Sequence, residues 1–410
     1  MMDRYPYVII GGGLAGGRAC EGIRRIDPDG PIMLITAERH RPYQRPPLSK
    51  AYLMGKAGLD KVYLREEDYY GAQHIEIMAE TRVARIERGD HTVTLENGRV
   101  VGYERLLLAT GGSAIRLPLP GADLPGVHIL RTIDDSNRIR EDAANARHAL
   151  IIGGSFIGSE VASSLAQLGV EGTMVFLEER LLANVVPKEL SHHLMHLYRD
   201  HGVRLLPGVK PVQFEGDGRV QRAVLDSGET LEVDMVVMGV GIRLNTALAK
   251  DSGLALGERD AVIVDERLRT SDPDIFAAGD IAAWPDPTFG RLRVEHWDVA
   301  RAQGLRAGRN MAGEERAYRT LPYFFSDLFD LSFEAWGDLT RWDATVQRGE
   351  LNGGPFTYFY FHEGKLVGAL TVGLADDDRK PLQALIRAQP ALREVSARLA
   401  DASVSLASLV

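Results

Sequence analysis

Two six-residue turns carry the residue types and the spacing that could hold a diphosphate. Gly11-Gly12-Gly13-Leu14-Ala15-Gly16 follows the apolar run Tyr7 to Ile10 and opens a stretch of helical pattern, and a second apolar run, Ile32 to Ile35, ends close to Glu38. In such a turn the first glycine bends the chain and the second lets a diphosphate approach the N–H groups at a helix N-terminus. The third lets the helix pack on the strand, and the distal carboxylate accepts from ribose hydroxyls. Gly153-Gly154-Ser155-Phe156-Ile157-Gly158 repeats the arrangement behind His148 to Ile152, with Met174 to Leu177 leading to Glu178. In this second copy Ser155 stands where the middle glycine belongs.

A turn of this kind works only between a strand and a helix, so each copy implies a strand–helix–strand unit and a parallel sheet. Further strands fit the same frame. Arg105 to Gly112 and Asp234 to Gly241 each run from an apolar stretch into glycine, and Asn97-Gly98 and Ser227-Gly228 supply hairpin turns ahead of them. Asp274 to Asp280 ends with a carboxylate just beyond a short apolar run, a place suited to a polyol hydroxyl. The expected fold class is α/β, with two Rossmann-like dinucleotide-binding domains.

Composition narrows the function. The chain has 410 residues, 45% hydrophobic and 26% charged, which suits two or three globular domains. Its single cysteine, Cys20, excludes an intrachain disulfide and any cysteine-only metal or iron–sulfur centre. A net charge of −9 gives no general attraction to nucleic acid. No apolar stretch is long enough to span a membrane, and the N-terminus lacks a basic segment followed by a long apolar one, so a cytoplasmic protein is expected.

With these pieces in order the chain resembles the flavoprotein disulfide reductase superfamily with two dinucleotide domains. Within it, the branch of ferredoxin reductases, monodehydroascorbate reductases and apoptosis-inducing factor is the most similar. The branch marker is Arg41-Pro42-Tyr43-Gln44-Arg45-Pro46-Pro47-Leu48-Ser49-Lys50; Leu130-Arg131-Thr132, Ser159-Glu160, Phe276-Ala277-Ala278-Gly279-Asp280 and Arg293-Val294-Glu295-His296-Trp297 also match. Leu321 to Asp327 and the stretch from Tyr358 to Thr371 resemble the C-terminal α+β domain of the branch. The resemblance implies an FAD domain at 1–114 and 245–317, an NAD domain at 115–244 and an interface domain at 318–410.

What the resemblance implies about sites is carried over residue by residue. FAD contacts fall on Gly11, Gly13, Ala15, Gly16, Glu38, Arg45, Lys50, Val83, Thr110, Gly111, Arg131, Asp280 and Trp297. Glu38 serves the adenosine ribose, Arg45 and Arg131 the phosphate or ring region, and Asp280 a ribityl hydroxyl. NAD contacts fall on Gly153, Ser155, Phe156, Ile157, Gly158, Glu178 and Gly241. Lys50 and Glu160 form the catalytic pair, the lysine acting on reduced-flavin charge. Glu178 favours NADH over NADPH, because a carboxylate accepts from a free 2′-hydroxyl and repels a 2′-phosphate, while Arg180 nearby could accommodate the phosphate.

A disulfide reductase would carry a redox cysteine near the Arg45 to Lys50 segment, and this chain has none there. Cys20 is expected to pack against the sheet. Electrons must then leave without a protein thiol, and a small [2Fe–2S] ferredoxin or similar carrier is the expected partner of a monomer or homodimer. An organic radical or quinone acceptor is the alternative among enzymes, and an NADH-dependent redox-sensing binding protein is the alternative outside them. Two other patterns are expected to carry no chemistry. His192 and His196 have helical i, i+4 spacing but lack the glutamate of a zinc protease motif, and Asp376-Asp377-Asp378 reads as a solvated turn.

Overall fold

A run such as Ile32-Met33-Leu34-Ile35 has no polar face, and a strand without one must be covered on both sides. The computed structural model describes residues 3–351 and 354–410. It places this strand in a parallel sheet between Ile75–Met78 and Asp3–Ile10, with Val100–Leu108 next and Ile275–Ala277 paired to Val100–Leu108. An antiparallel ribbon, Thr92–Leu95 with Val83–Glu87, extends the sheet. The strands are in register at their ends. Ile10 lies beside Ile35 and Leu108, and Leu108 beside Ala277, so the chain leaves all four strands at one carboxyl edge.

This sheet belongs to one of two compact units, made of Met1–Arg45, Gly58–Ser113 and Arg243–Pro322. Its two main helices, Leu14–Arg24 and Trp297–Met311, meet backbone to backbone. A Cβ at Gly304 would lie 2.3 Å from the Ala15 carbonyl oxygen, and one at Gly308 would lie 2.1 Å from that of Ala19. Glycine normally weakens a helix, and here close approach explains it.

The other unit comprises Pro46–Ala57, Ala114–Ile242 and Tyr323–Val410. Its parallel sheet runs Arg204–Pro207, Glu171–Phe176, His148–Ile152, Met235–Met238, Val127–Ile129. A three-stranded antiparallel sheet, Pro211–Glu215, Arg222–Leu225 and Thr230–Glu232, accompanies it, and Ser227-Gly228 turns the last hairpin as expected. The C-terminal part is a five-stranded antiparallel sheet, Tyr323–Leu328, Leu331–Gly337, Lys365–Val372, Phe356–His362, Ala344–Arg348, followed by helices Asp376–Ala388 and Leu392–Ala400. Asp376 to Asp378 form the first turn of a helix rather than a loop, where acidic side chains complement the helix dipole.

Candidate dinucleotide sites and the Lys50–Glu160 pair

The two glycine turns have the same backbone geometry. Gly11 and Gly153 sit at φ of +116° and +112°, a region glycine alone enters freely. A Cβ on Gly16 would lie 1.9 Å from the Gly11 carbonyl oxygen, and one on Gly158 would lie 2.0 Å from that of Gly153. These glycines are required by the protein's own packing. Gly13 differs: it caps helix Leu14–Arg24 at φ −78°, and a Cβ there would meet no protein atom within 4 Å. The fold itself does not demand a glycine at that position. A diphosphate lying against the helix N-terminus would, so the residues fit such a group. Ser155 holds the matching place at the start of helix Phe156–Gln167, is exposed, and makes no capping hydrogen bond through its side chain.

Four of the residues expected at the first turn follow strands of this sheet at its carboxyl edge. Glu38 follows strand Ile32–Ile35, Thr110 and Gly111 follow Val100–Leu108, and Asp280 follows Ile275–Ala277. Ala15 is in the first turn of helix Leu14–Arg24, with its backbone against Gly304. Val83 starts the ribbon strand reached from Thr81, whose N–H donates to the Thr36 carbonyl at 2.9 Å. Trp297 begins helix Trp297–Met311, half-buried beneath the Arg301 guanidinium at 5.6 Å. His296, the residue before it, is pushed down to about 4 by burial, which Asp280 opposes only in part.

Arg45 donates from Nη2 to Glu38 Oε1 at 2.9 Å and from Nη1 to the Tyr43 hydroxyl at 2.9 Å, while that hydroxyl donates to Glu38 Oε2. Burial lowers the Arg45 guanidinium pKa, and Tyr43, Glu38 and Asp280 together more than reverse it, leaving it raised.

Three partners are not legible as site residues in the sequence. Asn245 clasps the Thr110 turn: Thr110 Oγ1 donates to its carbonyl at 2.5 Å, and its Nδ2 donates to the Thr110 carbonyl at 3.1 Å. Fully buried Gln303 accepts the Gly279 N–H at 2.9 Å and so fixes the turn that presents Asp280. The third, Ser326, holds the Glu160 carboxylate. Ser326 stands beside Asp327 at the end of an aromatic run with nothing to set it apart, and nothing marks Asn245.

In the second unit, Glu178 is exposed just past strand Glu171–Phe176, and Gly154 lies over the Phe176 ring, 2.8 Å from where its Cβ would be. Arg180 is committed elsewhere. Its Nη1 donates to the Val186 carbonyl at 2.9 Å and its Nη2 to that of Ala183 at 3.0 Å. Phe156 packs edge-on against Phe324 with ring centres 5.2 Å apart, and Ile157 is exposed. The Gly241 carbonyl accepts from the Ile115 N–H at 3.0 Å. Arg131 follows strand Val127–Ile129, its N–H held by Asp135 at 3.0 Å beside the capping box of helix Ile133–Ala143.

Lys50 and Glu160 do meet. The Lys50 Nζ lies 2.6 Å from Glu160 Oε1. Glu160 also accepts from Ser49 Oγ at 2.5 Å and from Ser326 Oγ at 2.8 Å. The short helix Pro46–Ser49 that presents Lys50 is tied down in turn, since Ser136 and Ser164 donate to the Leu48 and Ser49 carbonyls at 2.8 Å and 2.7 Å. Such a fixed charge can stabilise negative charge developing on a group beside it.

Cys20 faces the core of the first unit, and burial pushes its thiol up to about 12. His192 and His196 lie exposed on helix Lys188–Asp200. Among the described residues no group of three or more His, Cys, Asp or Glu side chains could hold a metal ion, and no helix is long and apolar enough to cross a membrane.

Residues 5–304 match the pyridine nucleotide-disulphide oxidoreductase family, and residues 323–410 match the reductase C-terminal domain. The ferredoxin–NAD(+) reductase component of the anthranilate 1,2-dioxygenase system from Burkholderia cepacia is 35% identical, over 92% of this chain and 93% of its own. The crystal structure of the ferredoxin reductase for the CYP199A2 system of Rhodopseudomonas palustris superposes with a TM-score of 0.91 at 33% identity, covering 98% of this chain and 99% of that one. The reductase in a covalent putidaredoxin reductase–putidaredoxin complex gives the same TM-score at 30% identity, covering 98% of this chain and 97% of its own. With two Rossmann-like halves, a reductase C-terminal domain and whole-length relatives of this kind, the chain belongs to the pyridine nucleotide-disulphide oxidoreductase family and is an oxidoreductase.

Proposed function

We propose that the protein is an NADH-dependent flavoprotein reductase that delivers single electrons to a [2Fe–2S] ferredoxin or a similar small carrier. The observation that carries this reading is the position of Cys20, the chain's only cysteine. It is sealed in the core with its thiol held protonated, so the protein has no thiol relay and its acceptor must take electrons directly. The similar ferredoxin reductases supply the acceptor class. FAD, when bound, supplies the chemistry that accepts a hydride and returns electrons one at a time.

The chain's residues then take these roles. Gly11 and Gly16 shape the turn and pack its helix, Gly13 leaves the helix N-terminal N–H groups open to the FAD diphosphate, Glu38 accepts from the adenosine ribose, and Asp280 accepts from the ribityl chain. Ala15, Arg45, Val83, Thr110, Gly111, Arg131 and Trp297 complete the FAD contacts. Gly153, Ser155, Phe156, Ile157, Gly158 and Gly241 receive the nicotinamide dinucleotide. Lys50, held by Glu160, supplies positive charge for the reduced flavin. Glu178 sets the preference for NADH, and the engagement of Arg180 by two backbone carbonyls supports that preference, because its guanidinium is already engaged. In this reading the domains divide as 1–114 with 245–317 for FAD, 115–244 for NAD and 318–410 for the interface domain. An anaerobic screen of the yellow protein against NADH, NADPH and a panel of acceptors tests donor and acceptor together.

A further inference from the structure

The Glu38 carboxylate is held from two directions by one neighbouring segment. Oε1 accepts from Arg45 Nη2 at 2.9 Å and Oε2 accepts from the Tyr43 hydroxyl, which itself accepts from Arg45 Nη1 at 2.9 Å. The three side chains close a ring of hydrogen bonds. Two of its members are charged, and hydrogen bonds to charged groups are the stronger ones. Tyr43 is the most buried of the three. It is only 1% exposed, its backbone bridges that of Tyr63, and its ring lies 5.1 Å beneath the Arg45 guanidinium.

Each carboxylate oxygen has two acceptor sites. With one site on each oxygen filled by Arg45 and by Tyr43, one remains on each, and the Glu38 side chain is still 27% exposed at the carboxyl edge of the sheet. Two acceptors side by side on one planar group match the two neighbouring hydroxyls of a ribose. We propose that Tyr43 is the positioning residue of the adenosine-ribose site: it turns the Glu38 carboxylate so that both oxygens face the 2′,3′-diol, while Arg45 balances the charge. The inference rests on the assignment of Glu38 to the FAD ribose. It adds that the orientation of the carboxylate, set by a phenol that itself stays buried, decides how tightly the adenosine half is held.

Tyr43→Phe keeps the ring and its packing and removes only the hydroxyl. The probes are FAD and its 2′,3′-dideoxyadenosine analogue, titrated into deflavinated wild type, Tyr43→Phe and Glu38→Gln, with binding read by quenching of flavin fluorescence. The expected result is that Tyr43→Phe weakens FAD about tenfold, the scale of one hydrogen bond to a charged group, and binds the dideoxy analogue as wild type does. Equal affinity of Tyr43→Phe and wild type for FAD, with Glu38→Gln weakened, overturns the role of Tyr43 and leaves that of Glu38 standing. Wild-type FAD affinity in both variants overturns the assignment of Glu38 as well. An equal loss for FAD and analogue in Tyr43→Phe means general damage to the site, and also overturns the proposal.

Discussion

The Lys50 ammonium lies 2.6 Å from the Glu160 carboxylate, with the two side chains only 13% and 6% exposed, and the hydroxyls of Ser49 and Ser326 hold the same carboxylate at 2.5 Å and 2.8 Å. A pair so withdrawn from water gives up hydration on both sides, and a hydrophobic pair of similar volume would serve stability as well or better. Its presence is better explained by the charge that it holds in place.

Removing one member of the pair should therefore cost more than removing both. Glu160→Ala is expected to destabilise the holoprotein by about 3–5 kcal/mol, since it leaves Lys50 buried and unmatched. Lys50→Met combined with Glu160→Leu should recover most of that loss in guanidinium unfolding. Lys50→Ala should keep FAD but slow its reduction by NADH in stopped-flow absorbance. Unchanged reduction rates would remove Lys50 from the reaction.

The glycines of the first turn should separate folding from cofactor binding. Gly16→Ala drives a Cβ to 1.9 Å from the Gly11 carbonyl oxygen, so soluble yield and unfolding midpoint should both fall. Gly13→Val puts its Cβ where no protein atom lies within 4 Å, and the apoprotein should fold while FAD binding is lost. A Gly13→Val protein that purifies yellow would contradict the cradle.

Much of this architecture is legible in the sequence because glycine turns and fully apolar strands leave few alternatives. Gly11 and Gly153 announce left-handed turns, and runs such as Ile32 to Ile35 announce strands covered on both faces. The Lys50–Glu160 pair spans more than a hundred residues and is visible only through resemblance, since no spacing rule joins them. Asn245, Gln303 and Ser326 escape a sequence reading for a physical reason. Each is one polar residue in an ordinary segment, and its partner is brought by tertiary packing rather than by local pattern. The acidic run Asp376 to Asp378 reads as a turn because its charge density hides a helix start that only the dipole argument recovers.

Cys20 offers a test of the thiol-free route. Burial pushes the thiol up to about 12, so the reactive thiolate is scarce at pH 8, and burial blocks reagent as well. Iodoacetamide at pH 8 should leave the folded protein unlabelled by mass spectrometry and label it once when it is unfolded. Cys20→Ala should keep acceptor turnover. Loss of turnover with FAD still bound would argue for a redox role.

Donor choice should depend on Glu178. Glu178→Ala is expected to cost NADH about 1.5–3 kcal/mol in kcat/KM, the worth of a hydrogen bond to a charged group, while NADPH improves as repulsion of its phosphate is removed. Both donors would be compared at one ionic strength with a single saturating acceptor. A constant NADH to NADPH ratio would mean that another residue reads the ribose.

The proposed reaction takes two electrons from NADH onto the flavoprotein and passes them singly to a ferredoxin without a thiol. It is tested by anaerobic stopped-flow mixing of the holoprotein, first bleached with one equivalent of NADH, with an oxidised [2Fe–2S] ferredoxin. The expected result is return of the oxidised flavin spectrum with two equivalents of ferredoxin reduced, at the same rate in Cys20→Ala. A bleached flavin that no ferredoxin reoxidises, yet a quinone does, would contradict it.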